Sequence, residues 1–278
     1  MSEGIFIGSV LYRTIQVGFA ESMTLFQRRM DHAAIRFVYG AVSGDALVSR
    51  SRSIVASAFL RSDCDVLLTI DSDIWFRTED ALRLVERCRG GHDLIGALYM
   101  TRNMDTQPAS ILPDGRLIFH AGAEPVEVPF LSTGFMAVHR KVFERVRDMA
   151  DLPHCHQDWN DRGEDTSFWP FYMPFCIPWE GDGHLYLSED WAFCQRAKDA
   201  GFTCWLDPSI RLGHYGDYMY TLEDRARPAR AASAPLMFDT QANQLQTYRV
   251  PEELQVPIRR PNRAERRRNG RTSHVAPL

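Results

Sequence analysis

One stretch of the chain decides the fold: Asp65-Val66-Leu67-Leu68-Thr69-Ile70, followed directly by Asp71-Ser72-Asp73. An apolar run of this length that stops at turn-forming residues is typical of a strand buried inside a parallel sheet. Asp71 and Asp73 cannot both point into a core, because burying an unpaired charge costs several kcal/mol. Ligands of open α/β sheets bind beyond the carboxyl ends of the strands, so we expect the two carboxylates at such an edge.

Strand and helix patterns alternate on both sides of this stretch. Such an alternation predicts an α/β fold with a mostly parallel sheet and helices on its faces. The apolar positions Leu47, Ile54, Val55, Ala58 and Phe59 fall on one face of a helix. In this half we predict a strand over 5–10, a helix over 47–60, the strand over 65–70, a helix over 78–89 with Thr78 as its N-cap, and a strand over 93–99.

The second half is less regular. Its aromatic-rich segment, 151–187, is predicted to be a long loop. The other predicted elements are strands over 117–119 and 130–138, a helix with Val142, Phe143, Val146 and Met149 on one face, a helix over 188–200 with Gly201 after it, and a strand over 204–206. We therefore expect one domain over 1–220, an extended arm over 221–256 that packs on it, and a basic, disordered tail over 257–278.

Composition and charge exclude several classes of protein. The chain has 278 residues with 45% hydrophobic content, which excludes a disordered chain, a collagen and a small disulfide scaffold. No apolar stretch approaches the roughly 20 residues of a membrane helix, and the first residues do not resemble a secretion signal. With six cysteines and no CxxC pair, we expect reduced thiols and a cytoplasmic protein.

Two further motifs carry chemically useful side chains. Ser188-Glu189-Asp190 opens a predicted helix, where serine caps and acids suit the helix dipole. The same position would keep Asp190 ionised and available as a base. Gly213-His214-Tyr215-Gly216 follows the last predicted strand, and His214 is either a structural histidine or a metal ligand. Asp71 and Asp73 likewise fit either a solvated turn or a Mg²⁺ or Mn²⁺ site.

Taken in order, these motifs resemble those of the GT-A glycosyltransferases, in particular the nucleotide-sugar-dependent, family-2-like branch. The resemblance covers roughly residues 4–220 and implies a GT-A (Rossmann-like) fold. One segment departs from the family, since Ser53 stands where an asparagine often follows arginine. The residues that carry the resemblance are Ile70-Asp71-Ser72-Asp73-Ile74, Ser132-Thr133-Gly134-Phe135-Met136, Leu187-Ser188-Glu189-Asp190-Trp191 with Phe193, Gly213-His214, and Arg50-Ser51-Arg52-Ser53.

The resemblance implies transfer of a sugar from a nucleoside-diphosphate sugar, usually a UDP-sugar, with Mn²⁺ or Mg²⁺ as cofactor. It implies a catalytic pair, Glu189 and Asp190, in which Asp190 deprotonates the acceptor hydroxyl with inversion. Retaining members share the two-aspartate motif, so the stereochemistry stays open. The resemblance also implies that Asp71, Asp73 and His214 bind the metal, with contact to the ribose as the alternative for Asp71. It places Gly8, Ser9 and Tyr12 near the nucleobase and Arg52 at the diphosphate. Thr133 and Gly134 would line the junction of sugar and acceptor.

The acceptor is suggested by two segments. The aromatic residues between Trp159 and Trp191 are interpreted as an acceptor lid or as plain loop packing. Residues 257–278 contain seven arginines and one glutamate, a charge of +6, so the rest of the chain carries −10. Such a tail either binds nucleic acid or is a solvated end. The favoured acceptor is a 5-hydroxymethylpyrimidine in DNA, as for phage enzymes acting in the host cytoplasm.

Several alternatives remain. The acceptor could instead be a polysaccharide, a glycolipid, a protein or a small metabolite. A metal-dependent phosphohydrolase would also use two aspartates after a strand, but Trp75 stands where such enzymes need a small polar residue. A non-catalytic module that binds nucleic acid or sugar is the third class. The sequence does not indicate the oligomeric state.

Overall fold

A central sheet of seven strands organises the computed structural model, which describes residues 3–102, 107–157, 167–226 and 236–247. The helices are α1 (Val17–His32), α2 (Val48–Arg61), α3 (Thr78–Arg89), α4 (Arg140–Met149) and α5 (Glu189–Asp199). The strands of the central sheet are β1 (Ile5–Leu11), β2 (Phe37–Ser43), β3 (Val66–Ile70), β5 (Leu94–Gly96), β7 (Val126–Glu127), β8 (Phe135–His139) and β11 (Trp205–Leu206). The remaining strands are β4 (Ile74–Trp75), β6 (Arg116–Phe119), β9 (Phe175–Pro178), β10 (His184–Leu187), β12 (Gly213–Tyr215), β13 (Met219–Thr221), β14 (Leu236–Asp239) and β15 (Gln244–Thr247).

Helices cover both faces of the central sheet, as its apolar strands require. Every residue of β3 is buried, and alternate residues of β1 face opposite sides. Ile5 and Ile7 pack with α1 and α3, whereas Phe6 packs with α2, α4 and α5. This three-layer arrangement confirms the predicted α/β class.

The sheet is mostly parallel, and its antiparallel members shape the binding edge. The strand order is β2-β1-β3-β8-β5-β11-β7. Strands β2, β1, β3, β5 and β11 run in one direction, and β8 and β7 run in the other. Because β8 runs antiparallel to β3, the residues that enter β8 lie beside the residues that leave β3. The Asp71 amide accordingly donates to the carbonyl of Gly134 at 2.9 Å.

A small sheet of three strands, β13-β12-β4, extends the same edge. Strand β12 pairs antiparallel with β4, and His214 lies opposite Ile74. The Tyr215 amide donates to the carbonyl of Asp73 at 2.8 Å. This pairing brings the histidine of the glycine-flanked motif next to the second aspartate.

A buried arginine connects α4 to the end of α2. Arg140 is 5% exposed, and its guanidinium donates to the carbonyls of Phe59, Leu60, Ser62 and Cys64 at 2.6–3.0 Å. The last carbonyls of a helix lack partners within the helix, so Arg140 satisfies groups that would otherwise be stranded.

The structure corrects several element predictions in the first half. The chain forms α1 and β2, which the sequence interpretation did not include, although Phe19, Met23, Phe26 and Met30 follow helical spacing and are all buried in α1. Arg52 lies inside α2, which matches the helix predicted over 47–60. The N-cap of α3 is Arg77, and Thr78 is its first residue. Leu47 precedes α2 and is exposed.

The second half also differs from its predictions. The predicted strands over 93–99 and 130–138 shorten to β5 and β8. The predicted loop over 151–187 contains a hairpin, β9 and β10, paired antiparallel. Met149 is 57% exposed, so it does not belong to the buried face of α4. Gly201 does follow α5, with a φ of 88° that favours glycine.

The region after 220 contains short elements that return to the domain. Leu222–Ala226 forms a 3₁₀ helix. Strand β14 pairs antiparallel with β6 and with β15. The tail over 257–278 lies outside the described residues, so its disorder stays a prediction.

Candidate functional site

A pocket opens where β1 and β3 end, with a volume of about 390 Å³. It collects side chains from the loops after both strands and from the start of α2. Its lining includes Val10, Tyr12, Asp45, Arg52, Asp71, Asp73 and Arg102. The two aspartates therefore share one cavity at the carboxyl ends of parallel strands, where the sequence placed them.

Asp71 is held by a buried arginine. Helix α2 places Arg52 so that its two terminal nitrogens donate to the two carboxylate oxygens of Asp71, each at 2.9 Å. The Nε of Arg52 lies 3.6 Å from Glu189 Oε1 and has no hydrogen-bond partner. Burial acts to lower the pKa of Arg52, but the charge and hydrogen bonds of Asp71, together with the charge of Glu189, outweigh it and raise that pKa. A fully charged guanidinium thus links the end of β3 to the start of α5.

Asp73 lies beside His214. The Oδ2 of Asp73 is 3.6 Å from Nε2 of the imidazole, and its Oδ1 is buried without a hydrogen-bond partner. Burial raises the pKa of Asp73, but the hydrogen bond and charge of His214 and the charge of Arg102 outweigh burial. The pKa of Asp73 is therefore below its ordinary value, and the carboxylate is ionised at neutral pH.

The ring of His214 is oriented by the backbone. Its Nδ1 lies 2.7 Å from the carbonyl oxygen of Met100, and a nitrogen facing a carbonyl must carry a proton. With the proton on Nδ1, Nε2 is the nitrogen that faces Asp73 Oδ2: it donates to the carboxylate when the ring is protonated and offers a lone pair to a metal when the ring is neutral. An orphaned carboxylate oxygen and an oriented imidazole nitrogen are suitable ligands for Mn²⁺. Among the described residues, no group of three or more His, Cys, Asp or Glu side chains surrounds one point. Within this part of the chain, Asp73 and His214 are therefore the two side chains that we test as metal ligands.

Arg102 closes the pocket above Asp73. Its Nη1 donates to Asp73 Oδ2 at 2.6 Å and to the carbonyl of Tyr215 at 3.4 Å. The Arg102 side chain is 48% exposed, against 7% for Arg52. The sequence interpretation missed Arg102, which follows a short parallel strand that ends at this same edge.

The turn before β8 is built closely around Asp71. Gly134 donates its amide to the Tyr99 hydroxyl at 3.2 Å, and a Cβ at this position would lie 2.6 Å from that hydroxyl and 3.0 Å from Asp71 Oδ2. Only glycine therefore fits here. Thr133 is buried, and its Oγ1 has no hydrogen-bond partner. These are the two residues that the sequence analysis assigned to the junction of sugar and acceptor.

Tyr99 joins this turn to the histidine, and it too was missed from the sequence. Its ring stands edge-on to the His214 ring, with centroids 4.9 Å apart. Burial, with the charge of Asp71, raises the pKa of Tyr99, so the phenol stays neutral. Tyr99 follows β5 as Arg102 does. A polar residue after a predicted parallel strand is the signal that could have found Arg102, whereas Tyr99 was counted inside the strand predicted over 93–99.

The start of α5 presents its two acids differently. Ser188 occupies the N-cap, but its hydroxyl donates to Asp190 Oδ1 at 2.5 Å instead of capping the backbone. The Trp191 amide donates to the same oxygen at 2.9 Å. Burial raises the pKa of Glu189, and the charge of Arg52 only partly opposes it. Glu189 therefore belongs with Arg52, whereas Asp190 is oriented by its own helix turn.

Two predicted donor-binding residues lie elsewhere. Gly8 and Ser9, which the resemblance assigns to the nucleobase, lie within β1, the strand predicted over 5–10. A Cβ on Gly8 would lie 2.4 Å from Val55 Cγ1, so Gly8 allows α2 to pack closely. Ser9 is fully buried, and neither residue lines the pocket. Tyr12 does line it and is 52% exposed.

Comparisons with known proteins give resemblances in structure only. No protein-family model matches the chain, and a search of curated proteins finds no match. Among solved structures, A197 from STIV is 15% identical with a TM-score of 0.47, covering 90% of this chain and 97% of that one. The catalytic domain of Drosophila β1,4-galactosyltransferase 7, in complex with xylobiose, is 11% identical with a TM-score of 0.41, covering 83% and 76%.

A third solved structure, S. aureus TarS 1–349 in complex with UDP-GlcNAc, is 10% identical with a TM-score of 0.39, covering 75% of this chain and 57% of that one. Resemblances at this level do not assign an activity. No helix in the described part of the chain combines the length and apolar character needed to cross a membrane.

Proposed function

We propose that the protein is a metal-dependent glycosyltransferase that moves a sugar from a nucleoside-diphosphate sugar, most suitably a UDP-sugar, to an acceptor hydroxyl. One observation carries the proposal. At the edge of a pocket formed by strand ends, Asp73 has a buried Oδ1 without a partner, and its other oxygen, Oδ2, lies 3.6 Å from His214 Nε2. A carboxylate and an imidazole arranged in this way fit a divalent cation.

In this proposal Asp73 and His214 hold Mn²⁺ or Mg²⁺. When bound, the ion neutralises the charge that develops on the leaving diphosphate. Both oxygens of Asp71 are engaged by Arg52, so we assign Asp71 to the pocket floor and the donor ribose rather than to the ion. Tyr12 offers its half-exposed ring to the nucleobase, and Arg52 is the cation nearest the diphosphate from the α2 side.

Asp190 is the proposed base. Both of its orienting hydrogen bonds end on Oδ1, so Oδ2 is the oxygen that accepts the proton of the acceptor hydroxyl. Glu189 holds Arg52 from the other side. Thr133 and Gly134 line the position between sugar and acceptor. A base that activates the acceptor directly makes the transfer a single displacement with inversion.

For the acceptor, the proposal is a 5-hydroxymethylpyrimidine in DNA. Its support is the charge of +6 on residues 257–278, since arginines neutralise phosphates and add salt-dependent affinity for nucleic acid. These residues lie outside the described part of the chain. A polysaccharide, glycolipid, protein or small metabolite would need no such tail.

The test uses the full chain with Mn²⁺ and a panel of nucleotide-sugars. Wild type is expected to bind at least one nucleoside diphosphate only when metal is present, and Asp73→Ala should lose that binding. Asp190→Ala should keep it but slow transfer by about 10²–10⁴-fold. Asp31→Ala, which removes an exposed carboxylate from α1, is the matched control and should change neither. Equal transfer by wild type and Asp190→Ala would refute the base.

The acceptor is tested separately with hydroxymethylcytosine DNA and with glycan acceptors. A mass gain on the nucleoside, reduced by deletion of 257–278 and by added salt, is the expected result. Transfer to glycans alone would keep the glycosyltransferase and reject the DNA acceptor.

A further inference from the structure

Arg102 occupies the place where a cation is expected. Its Nη1 lies 2.6 Å from Asp73 Oδ2, on the same carboxylate whose Oδ1 has no partner. The stem of Arg102 lies across Gly216, where a Cβ would be 3.2 Å from Arg102 Cβ. The second glycine of the histidine motif thus leaves room for this arginine.

The contact between Arg102 and Asp73 can be replaced readily by a contact of Asp73 with another cation. The Arg102 side chain is half exposed and reaches Asp73 through one nitrogen, and exposed single-contact pairs are weak because water competes for both charges. Arg102 also lines the pocket itself. Among the described residues, its other hydrogen bond is a long one to the carbonyl of Tyr215, so it can leave Asp73 without breaking the hydrogen bonds of a described helix or strand.

Two cations cannot share this carboxylate without cost. A divalent ion on Asp73 and His214 would repel a guanidinium that touches the same carboxylate, and at such separations the repulsion is considerable even near a protein surface. Entry of the ion therefore favours departure of Arg102. The released guanidinium would then lie at the wall of a pocket that receives a diphosphate, an anion that suits its planar donors.

We infer that Arg102 is an exchangeable counter-ion that holds Asp73 in the metal-free protein, yields Asp73 to the metal and then pairs with the diphosphate of the donor. The inference rests on the proposed function and adds a coupling to it. Because Arg102 opposes the metal and favours the diphosphate, each ligand strengthens the binding of the other. Arg102 is thus a donor-binding residue whose position reports whether metal is bound.

The experiment measures two affinities in the full chain. Free Mn²⁺ is followed by electron paramagnetic resonance without nucleotide, and UDP binding is followed by calorimetry at saturating Mn²⁺. Arg102→Ala should bind Mn²⁺ alone about 3- to 5-fold more tightly, since a competing exposed pair is gone. It should bind UDP at least about 10-fold more weakly, since a charge-assisted hydrogen bond is lost.

The opposite signs separate this role from a merely structural one, which would weaken both ligands. Arg13→Ala is the matched control, because it removes a nearby charge that stacks over the Tyr12 ring at 5.1 Å. Its Mn²⁺ affinity should stay within about twofold of wild type. Unchanged or weaker Mn²⁺ binding by Arg102→Ala overturns the inference. If Asp73→Ala also leaves Mn²⁺ binding intact, the proposed metal site itself has failed; if Asp73→Ala abolishes binding, only the inference about Arg102 has failed.

Discussion

Two arginine–aspartate pairs line one pocket, and their surroundings give them different roles. Arg52 is 7% exposed and grips both oxygens of Asp71. Arg102 is 48% exposed and touches one oxygen of Asp73. The two aspartates are similarly exposed, at 23% and 20%, so the difference lies in the arginines: opening the first pair leaves the buried charge of Arg52 unpaired, whereas Arg102 can turn into water. The same two residue types thus form a fixed floor on one side of the pocket and an exchangeable contact on the other.

The largest expected effect comes from removing the buried arginine. Arg52→Ala leaves the charge of Asp71 unpaired and should lower the free energy of unfolding by about 3–5 kcal/mol. Urea unfolding of the purified variant measures this. Arg50→Ala is the control on the same helix, because Arg50 forms an exposed pair with Asp45 and should cost less than about 1 kcal/mol. Similar losses in the two variants would erase the distinction between the pairs.

A smaller loss is expected on the aspartate side. Asp71→Asn keeps the volume but removes the charge, and it should cost about 2–3 kcal/mol because Glu189 still lies near Arg52. Its Mn²⁺ affinity, measured on folded protein, should stay within about threefold of wild type, since the carboxylate is assigned to Arg52. A loss of Mn²⁺ binding as large as in Asp73→Ala would return Asp71 to the metal.

A third pair, Arg89 and Asp65, lies outside the pocket and tests whether a bidentate arginine–aspartate contact stabilises the fold where no ligand site is involved. Arg89 donates to both oxygens of Asp65 at 2.8 Å, and the Gly4 amide donates to one of them at 2.7 Å. Burial raises the pKa of Asp65, but these hydrogen bonds lower it more, to below its ordinary value of 3.8. Asp65→Asn should cost about 1–2 kcal/mol at pH 7.

The pH dependence of this third pair has a defined sign. Because the folded-state pKa of Asp65 is lowered, its contribution is complete above pH 3.8 and is lost as the pH falls through the folded value. Urea midpoints of wild type and Asp65→Asn should therefore converge as the solution is acidified. A gap that widens toward low pH would contradict the assignment.

The smallest effect on stability is expected from Arg102. Arg102→Ala should change the free energy of unfolding by less than about 1 kcal/mol, because Arg102 is half exposed and His214 still faces Asp73 once the contact is removed. Thermal melting of the variant without metal measures this. A loss comparable to that of Arg52→Ala would show that the contact is part of the framework and does not exchange.

The sequence predicted what is encoded locally. Strand β3, the bounds of α3 and the acids at the start of α5 follow from apolar periodicity and terminal residues within a dozen positions. The hairpin β9–β10 and the short strands β5 and β8 depend on partners distant in sequence, and their lengths could not be obtained from local patterns. The helix α1 did carry a periodic signal, which the sequence interpretation overlooked.

The site was predicted in the same uneven way. Asp71, Asp73 and Asp190 were selected because carboxylates after strands and at helix starts are chemically conspicuous. That Arg52 would occupy both oxygens of Asp71, and that Arg102 and Tyr99 would reach the same pocket, depends on α2 and on the end of β5 meeting β3 in space. No spacing within the chain reports such contacts.

Arg140 has a consequence for the order of folding. Its guanidinium satisfies carbonyls at the end of α2 and just after it, 76–81 residues earlier in the chain, so this segment gains these bonds only once α4 has docked. Closing so long a loop is slow compared with forming a helix turn. We expect amide protons near residues 62–64 to gain protection from hydrogen exchange late during refolding, in step with those of α4. A lysine at 140 could not substitute, since one ammonium carries three donors and cannot reach four carbonyls at once.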